Sequence, residues 1–199
     1  MKRTLMTAFL VPVAGVSLAG CGVNSIPTAE EEAKAKWADV QAAYQRRASL
    51  IPNLVSTVKG AAASEARILT GVTEARANAT RITVTGEQLT DPQAMARFAE
   101  AQNRLTLSLQ RLQEAYPQLQ SQGNFKTLMD QLEGTENRIN IAIRDYNTAV
   151  QAYNTEIRTF PSVIGARIIY GSDPLVPYEA ATPGAEVAPT VDFGDGNSQ

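Results

Sequence analysis

The sequence contains no histidine. The side chain that titrates near neutral pH, and the commonest metal ligand, is therefore missing. A single cysteine, Cys21, excludes an internal disulfide and a thiolate metal cluster. Positive charge is not in excess: 18 basic residues face 20 acidic ones, for a formal net charge of −2. Nucleic-acid binding needs clustered positive charge, so that class is set aside. There is no His-Glu-x-x-His helix, no phosphate-cradling glycine loop and no nucleophile elbow. Ser64-Glu65 and Thr135-Glu136 lack a base, and Asp130, Glu133 and Glu136 are too weakly patterned for an acid/base pair. The sequence thus nominates no catalytic residue, cofactor, metal ligand or small-molecule substrate, and the chain is read as a non-enzyme.

Residues 1–20 have the layout of a secretory leader: Lys2 and Arg3, an apolar run over residues 5–16, then small residues. The run is shorter than the ~20 residues a bilayer-spanning helix needs. The leader closes on Leu18-Ala19-Gly20-Cys21, which resembles the bacterial lipobox, and the lone cysteine falls at its acylated position. The alternative is an ordinary leader with a stray cysteine. Acyl chains on Cys21 would anchor the protein stably, since each buried CH₂ contributes roughly 0.8 kcal/mol. Gly22, in place of aspartate, favours the outer membrane, on the periplasmic side; the outer face of a cell membrane is the alternative. Residues 21–28 read as a flexible tether.

Beyond the tether, apolar residues recur every three or four positions, as in helices packed on helices. The first seam is Trp37, Val40, Tyr44, Arg47, Ile51, Leu54, Val58, Ala61, Glu65, Ile68, Val72, Ala75 and Ala79, with Arg47 and Glu65 as polar interruptions. Thr28 is read as its N-cap, with Glu30, Glu31 and Glu32 in the first turn. Unbroken register favours one long helix kinked at Pro52, spanning about 75 Å at 1.5 Å per residue. A break near residues 60–64, giving two helices, is the alternative. Residues 82–91 suit a loop, and Asp91-Pro92 restarts a helix as cap and first-turn proline. The second seam is Met95, Phe98, Gln102, Leu105, Leu109, Leu112, Tyr116 and Leu119, a heptad spacing with one polar member. The third, with Asn124 as candidate cap, is Phe125, Leu128, Leu132, Thr135, Ile139, Ala142, Tyr146, Ala149 and Tyr153, and Phe160-Pro161 stops it.

The expected architecture is all-α: an elongated antiparallel bundle of three or four long helices over residues 29–161. Residues 162–179 are candidates to pack on its end, and the proline- and glycine-rich acidic residues 180–199 are expected to be disordered.

One polar pattern is ordered. Asn137, Asn140, Arg144, Asn147, Gln151 and Asn154 step along the third helix at three- and four-residue intervals, and Arg158 continues them. A water-facing stripe explains them simply. Amides are mediocre helix formers, however, and a ladder of them offers hydrogen bonds to a partner helix or a glycan strand. Arg46 and Arg47 are read as ion pairs within the bundle.

Two stretches resemble the LemA family. One holds Trp37-Ala38-Asp39-Val40-Gln41, then Arg46-Arg47-Ala48-Ser49-Leu50-Ile51-Pro52-Asn53-Leu54-Val55-Ser56-Thr57-Val58-Lys59-Gly60, then Val72-Thr73-Glu74-Ala75-Arg76. The other holds Tyr116-Pro117, Asn124-Phe125, Leu132-Glu133-Gly134-Thr135-Glu136-Asn137-Arg138-Ile139, Asp145-Tyr146-Asn147, Tyr153-Asn154-Thr155 and Phe160-Pro161. The resemblance spans about residues 36–171. It implies an antiparallel helical bundle held at a bacterial membrane by its N-terminus, with no agreed enzymatic activity and no catalytic residues to carry over. Two departures stand out. Members commonly begin with a transmembrane helix, where this chain has its lipobox. Members often show Tyr-Ala-x-His-Glu where this chain has Ala61-Ala62-Ala63-Ser64-Glu65.

The expectation is a lipid-anchored envelope protein that serves as scaffold or adaptor for another envelope protein. A peptidoglycan- or carbohydrate-binding module, using the amide ladder and tyrosines such as Tyr153, is the alternative; sparse aromatics, 6% of residues, weigh against it.

Overall fold

The computed structural model describes residues 2–61 and 66–179. Four long helices form the body: α1 (Lys2–Ala61), α2 (Ala66–Arg81), α3 (Pro92–Ala115) and α4 (Gly123–Glu156). A short α5 (Ser162–Gly165) and a π-helical turn over Ala166–Tyr170 follow, and then an extended segment over residues 171–179. No strand occurs among the described residues, and the class is all-α, as the helical seams predict. The acidic tail expected over residues 180–199, and Glu65, lie outside the described residues.

The first seam is not one long helix. α1 ends at Ala61, and α2 folds back along it, so that Arg76 meets Ala48. The register survives because the interruption, residues 62–65, has four positions, close to one helical turn. Periodicity reports which face is buried and not whether two helices are collinear. Folding back gives Leu69, Val72 and Ala79 a core to enter, which a 75 Å rod would not. α1 itself runs through Pro52. Proline has no N–H for the carbonyl four residues earlier, that of Ala48. Arg76 Nε donates to that same carbonyl at 2.8 Å. The arginine of the next helix satisfies the acceptor that the proline leaves open.

Three further expectations are corrected. Residues 22–28 belong to α1 and form no tether, because Ile26 is buried in the core. Thr28 sits inside that helix, its hydroxyl donating to Asn24 O at 2.9 Å, so it is not a cap. α4 begins at Gly123, one residue before Asn124, and no side chain caps it. The Asp91-Pro92 start is as expected: Gln93 N donates to Asp91 Oδ1 at 2.8 Å.

α1 lies along α4 and α2 along α3, while α3 and α4 barely meet. Trp37, Tyr44, Phe98, Tyr146 and Tyr178 gather in one place. Trp37 packs on Phe98 and Tyr146 with ring centroids 5.3 and 5.1 Å away, and Tyr44 on Phe98 at 5.4 Å. Trp37 Nε1 also donates to Val84 O at 2.8 Å, which fixes the loop before α3.

Candidate functional site

The buried apolar residues fall into two groups with a polar layer between them. On α1 the layer is Arg47, between Tyr44 of one group and Ile51 of the other. On α3 it is Gln102, between Phe98 and Leu105. On α4 it is Thr135 and Glu136, between Leu132 and Ile139. The polar interruptions of three separate seams thus fall at one level.

Arg47 is the centre of the layer. Its side chain is only 3% exposed, and a buried charge is expensive unless it is paired and hydrogen-bonded. Nη1 donates to Glu136 Oε2 and Thr106 Oγ1, both at 3.0 Å. Nη2 donates to Gln102 Oε1 at 3.1 Å and to Gln102 O at 3.3 Å. Gln102 Nε2 in turn donates to Ala79 O on α2 at 3.1 Å. The guanidinium carbon stands 4.9 Å from the centre of the Tyr44 ring, a cation–π contact. Arg47 joins α1 to α3 and α4, and Gln102 extends the network to α2. The expected ion pairing holds for Arg47; Arg46 is exposed, and no ion pair reaches it among the described residues. Glu136, too weakly patterned in sequence to carry a role, is Arg47's counter-ion, while Asp130 pairs with Lys126 at 3.1 Å. Neither is placed as an acid/base pair.

Because α3 and α4 stand apart, a seam runs between them. Its upper half is filled by the chain's own residues 172–179, which run antiparallel to α4. Asn147 holds Tyr178 by two bonds: Nδ2 to Tyr178 O at 3.0 Å, and Tyr178 N to Oδ1 at 2.8 Å. Asn154 holds Leu175 in the same way, at 2.8 and 2.9 Å. The spacings match: seven helical residues rise about 10.5 Å, and three extended residues cover about 10 Å. Tyr146 Oη donates to Val176 O at 2.8 Å, and Val176 N donates across the seam to Leu89 O at 2.8 Å. The tyrosine hydroxyls of Tyr178 and Tyr44 meet at 2.8 Å. Burial pushes both of these tyrosines above their ordinary range.

The amide ladder therefore binds peptide through Asn147 and Asn154, and the peptide is this chain's own. Asn137, Asn140, Arg144 and Gln151 remain exposed. Tyr153, named with the amide ladder for a carbohydrate-binding module, is buried. Sequence spacing located the ladder but not its occupant, since nothing in residues 171–179 marks them as an extended strip.

Below Arg47 the seam is open. A cavity of about 670 Å³ lies there, lined by Thr106, Leu109 and Gln113 from α3 and by Phe125, Met129 and Glu133 from α4. Among the described residues no group of three or more Cys, Asp or Glu is placed to hold a metal ion. No helix among them is long and apolar enough to cross a membrane. Cys21 lies within α1.

A search of curated proteins returns no match. A family model, that of the LemA family, matches residues 36–193, which is most of the chain.

Proposed function

We propose, for a chain that belongs to the LemA family, a lipid-anchored envelope protein whose bundle is a non-catalytic adaptor for an extended segment of another envelope protein. The observation that carries the adaptor reading is the α3–α4 seam. Its upper half already accepts an extended peptide through asparagine pairs. Its lower half offers an apolar floor, Leu109, Phe125 and Met129, with amide and carboxylate groups at the rim. An extended segment laid there would continue the same mode of binding, backbone to side-chain amide, with side chains pointing into the floor. The anchor rests on Leu18-Ala19-Gly20-Cys21 and on the apolar run before it. The family is not one of known enzymes, and Arg47, Gln102 and Glu136 are engaged with one another in the layer.

Metabolic labelling with a palmitate analogue, followed by membrane fractionation, tests the anchor. The wild-type chain should carry label and sediment with membranes, and Cys21→Ala should lose both. An unlabelled wild-type chain contradicts the anchor. For the adaptor, Met129→Arg and Gln113→Arg should abolish recovery of the partner while the circular dichroism spectrum is unchanged. Recovery that persists in both variants removes the seam from the account.

A further inference from the structure

Where α4 stops, the chain leaves a run of large apolar side chains in water. Phe160 is 81% exposed and Ile168 78%, and Ile164, Ile169 and Tyr170 are exposed beside them. Ile164 and Ile168 stand one turn apart on the short helical stretch formed by α5 and the π-helical turn. Gly171, at φ +58°, then turns the chain back, with Ser172 N donating to Ala166 O at 2.9 Å. Large apolar side chains exposed together in one short stretch mark a site of contact with protein or membrane.

Position decides between the two. α5 packs against α1, and Ala166 shares a core with Ile26. The Glu156 carboxylate accepts from the hydroxyls of Ser25 and Ser162, so the cap is tied to α1 at Ser25. Ser25 is four residues beyond Cys21, about 6 Å along a helix axis. The exposed apolar stretch therefore lies about one turn from the residue that the lipobox acylates. The charges agree with a lipid surface. Arg158 and Arg167 are exposed beside the cap, Glu156 is engaged by its two serines, and Asp173 lies past the turn at Gly171.

We propose that residues 160–170 are a membrane-seated cap: Phe160, Ile164, Ile168 and Ile169 enter the bilayer interface, and Arg158 and Arg167 reach anionic headgroups. This rests on the anchoring reading above and adds a second point of attachment to it. One acyl anchor alone leaves the bundle free to swivel, whereas an anchor and an apolar cap together set its orientation. Arg47, 22 residues past Ser25, then stands about 33 Å along α1 from the level of Ser25, and the open half of the seam lies farther still.

The test uses the full acylated chain in vesicles of phosphatidylethanolamine and phosphatidylglycerol, with and without brominated acyl chains. The native Trp37 is buried in the bundle and serves as internal control. Ile168→Trp and, as a second reporter, Phe160→Trp should each add an emission that shifts to the blue in vesicles and is quenched by the brominated lipid, while wild-type emission is not. A chain that floats with the vesicles while the introduced indoles stay unshifted and unquenched overturns the cap and leaves the anchor standing. A chain that does not float overturns both. Indoles that shift to the blue but escape quenching are covered by protein, a second copy included, and this also overturns the lipid assignment.

Discussion

Two arginines carry much of the specificity of this bundle, and each answers a defect placed elsewhere in the sequence. Arg47 is buried and spans from α1 to α3 and α4. Its replacement by methionine removes a charge whose two terminal nitrogens bond four acceptors while the buried Nε has no partner, and it leaves Gln102 partly unpaired. Breaking a buried pair costs several kcal/mol, but Glu136 is 46% exposed and can return to water. Arg47→Met should therefore cost about 2–3 kcal/mol in urea unfolding. Arg47→Met combined with Gln102→Leu should recover part of that, by turning the layer apolar. Arg76 answers Pro52. Arg76→Gln should cost about 1 kcal/mol, the net worth of one hydrogen bond. In a Pro52→Ala background the same change should cost less, because the substituted alanine would supply an N–H to the Ala48 carbonyl. A double-mutant cycle reads this coupling directly, and additive costs would show that the Arg76 bond is incidental.

At the scale of elements, the strip over residues 172–179 acts as a partial fifth member of the bundle. Asn147→Ala with Asn154→Ala removes four hydrogen bonds to its backbone. Amide exchange at Leu175 and Tyr178 should lose its protection, while the amides of α4 keep theirs. Unchanged protection would mean that Leu175 and Tyr178 hold the strip by burial alone. The strip also shows what the sequence could and could not convey. Every seam residue whose side chain is described faces inward or partly inward, because a 3.6-residue period is imposed by burial and is visible without neighbours. The hairpin of α1 and α2 was present only as the alternative of a break near residues 60–64, because an interruption of four positions keeps that period. The level of the polar layer was present as Arg47, Gln102 and Thr135-Glu136, one interruption per seam, but only a topology could align them. Asn147 and Asn154 were legible as a ladder at seven-residue spacing. That their acceptor was local was not legible, since an extended strip bound to side chains leaves no periodic pattern of its own.

For the whole molecule, the aromatic end of the core sets a pH limit. Burial raises Tyr44, Tyr146, Tyr153 and Tyr178 above the ordinary tyrosine range. The folded state thus favours the neutral phenols. Their contribution is complete below the unfolded value, about pH 10, and is lost as pH rises above it, where the unfolded chain ionises first. Urea midpoints should hold between pH 7 and 9 and fall from about pH 10 upward, and Tyr44→Phe with Tyr178→Phe should make that fall shallower. An equal fall in the doubly substituted chain would place the alkaline limit elsewhere.

In the proposed reading the seam is a binding strip half filled by the chain itself and half open to a partner. The measurement that meets it most directly is site-specific photo-crosslinking in living cells, with the crosslinker placed at Gln113 or Met129 in the open half and, as comparison, at Leu107 on the exposed far side of α3. One discrete protein adduct is expected from both seam positions, absent at Leu107 and lost in Cys21→Ala. Adducts that are equal at all three positions, or missing from the seam alone, would contradict it.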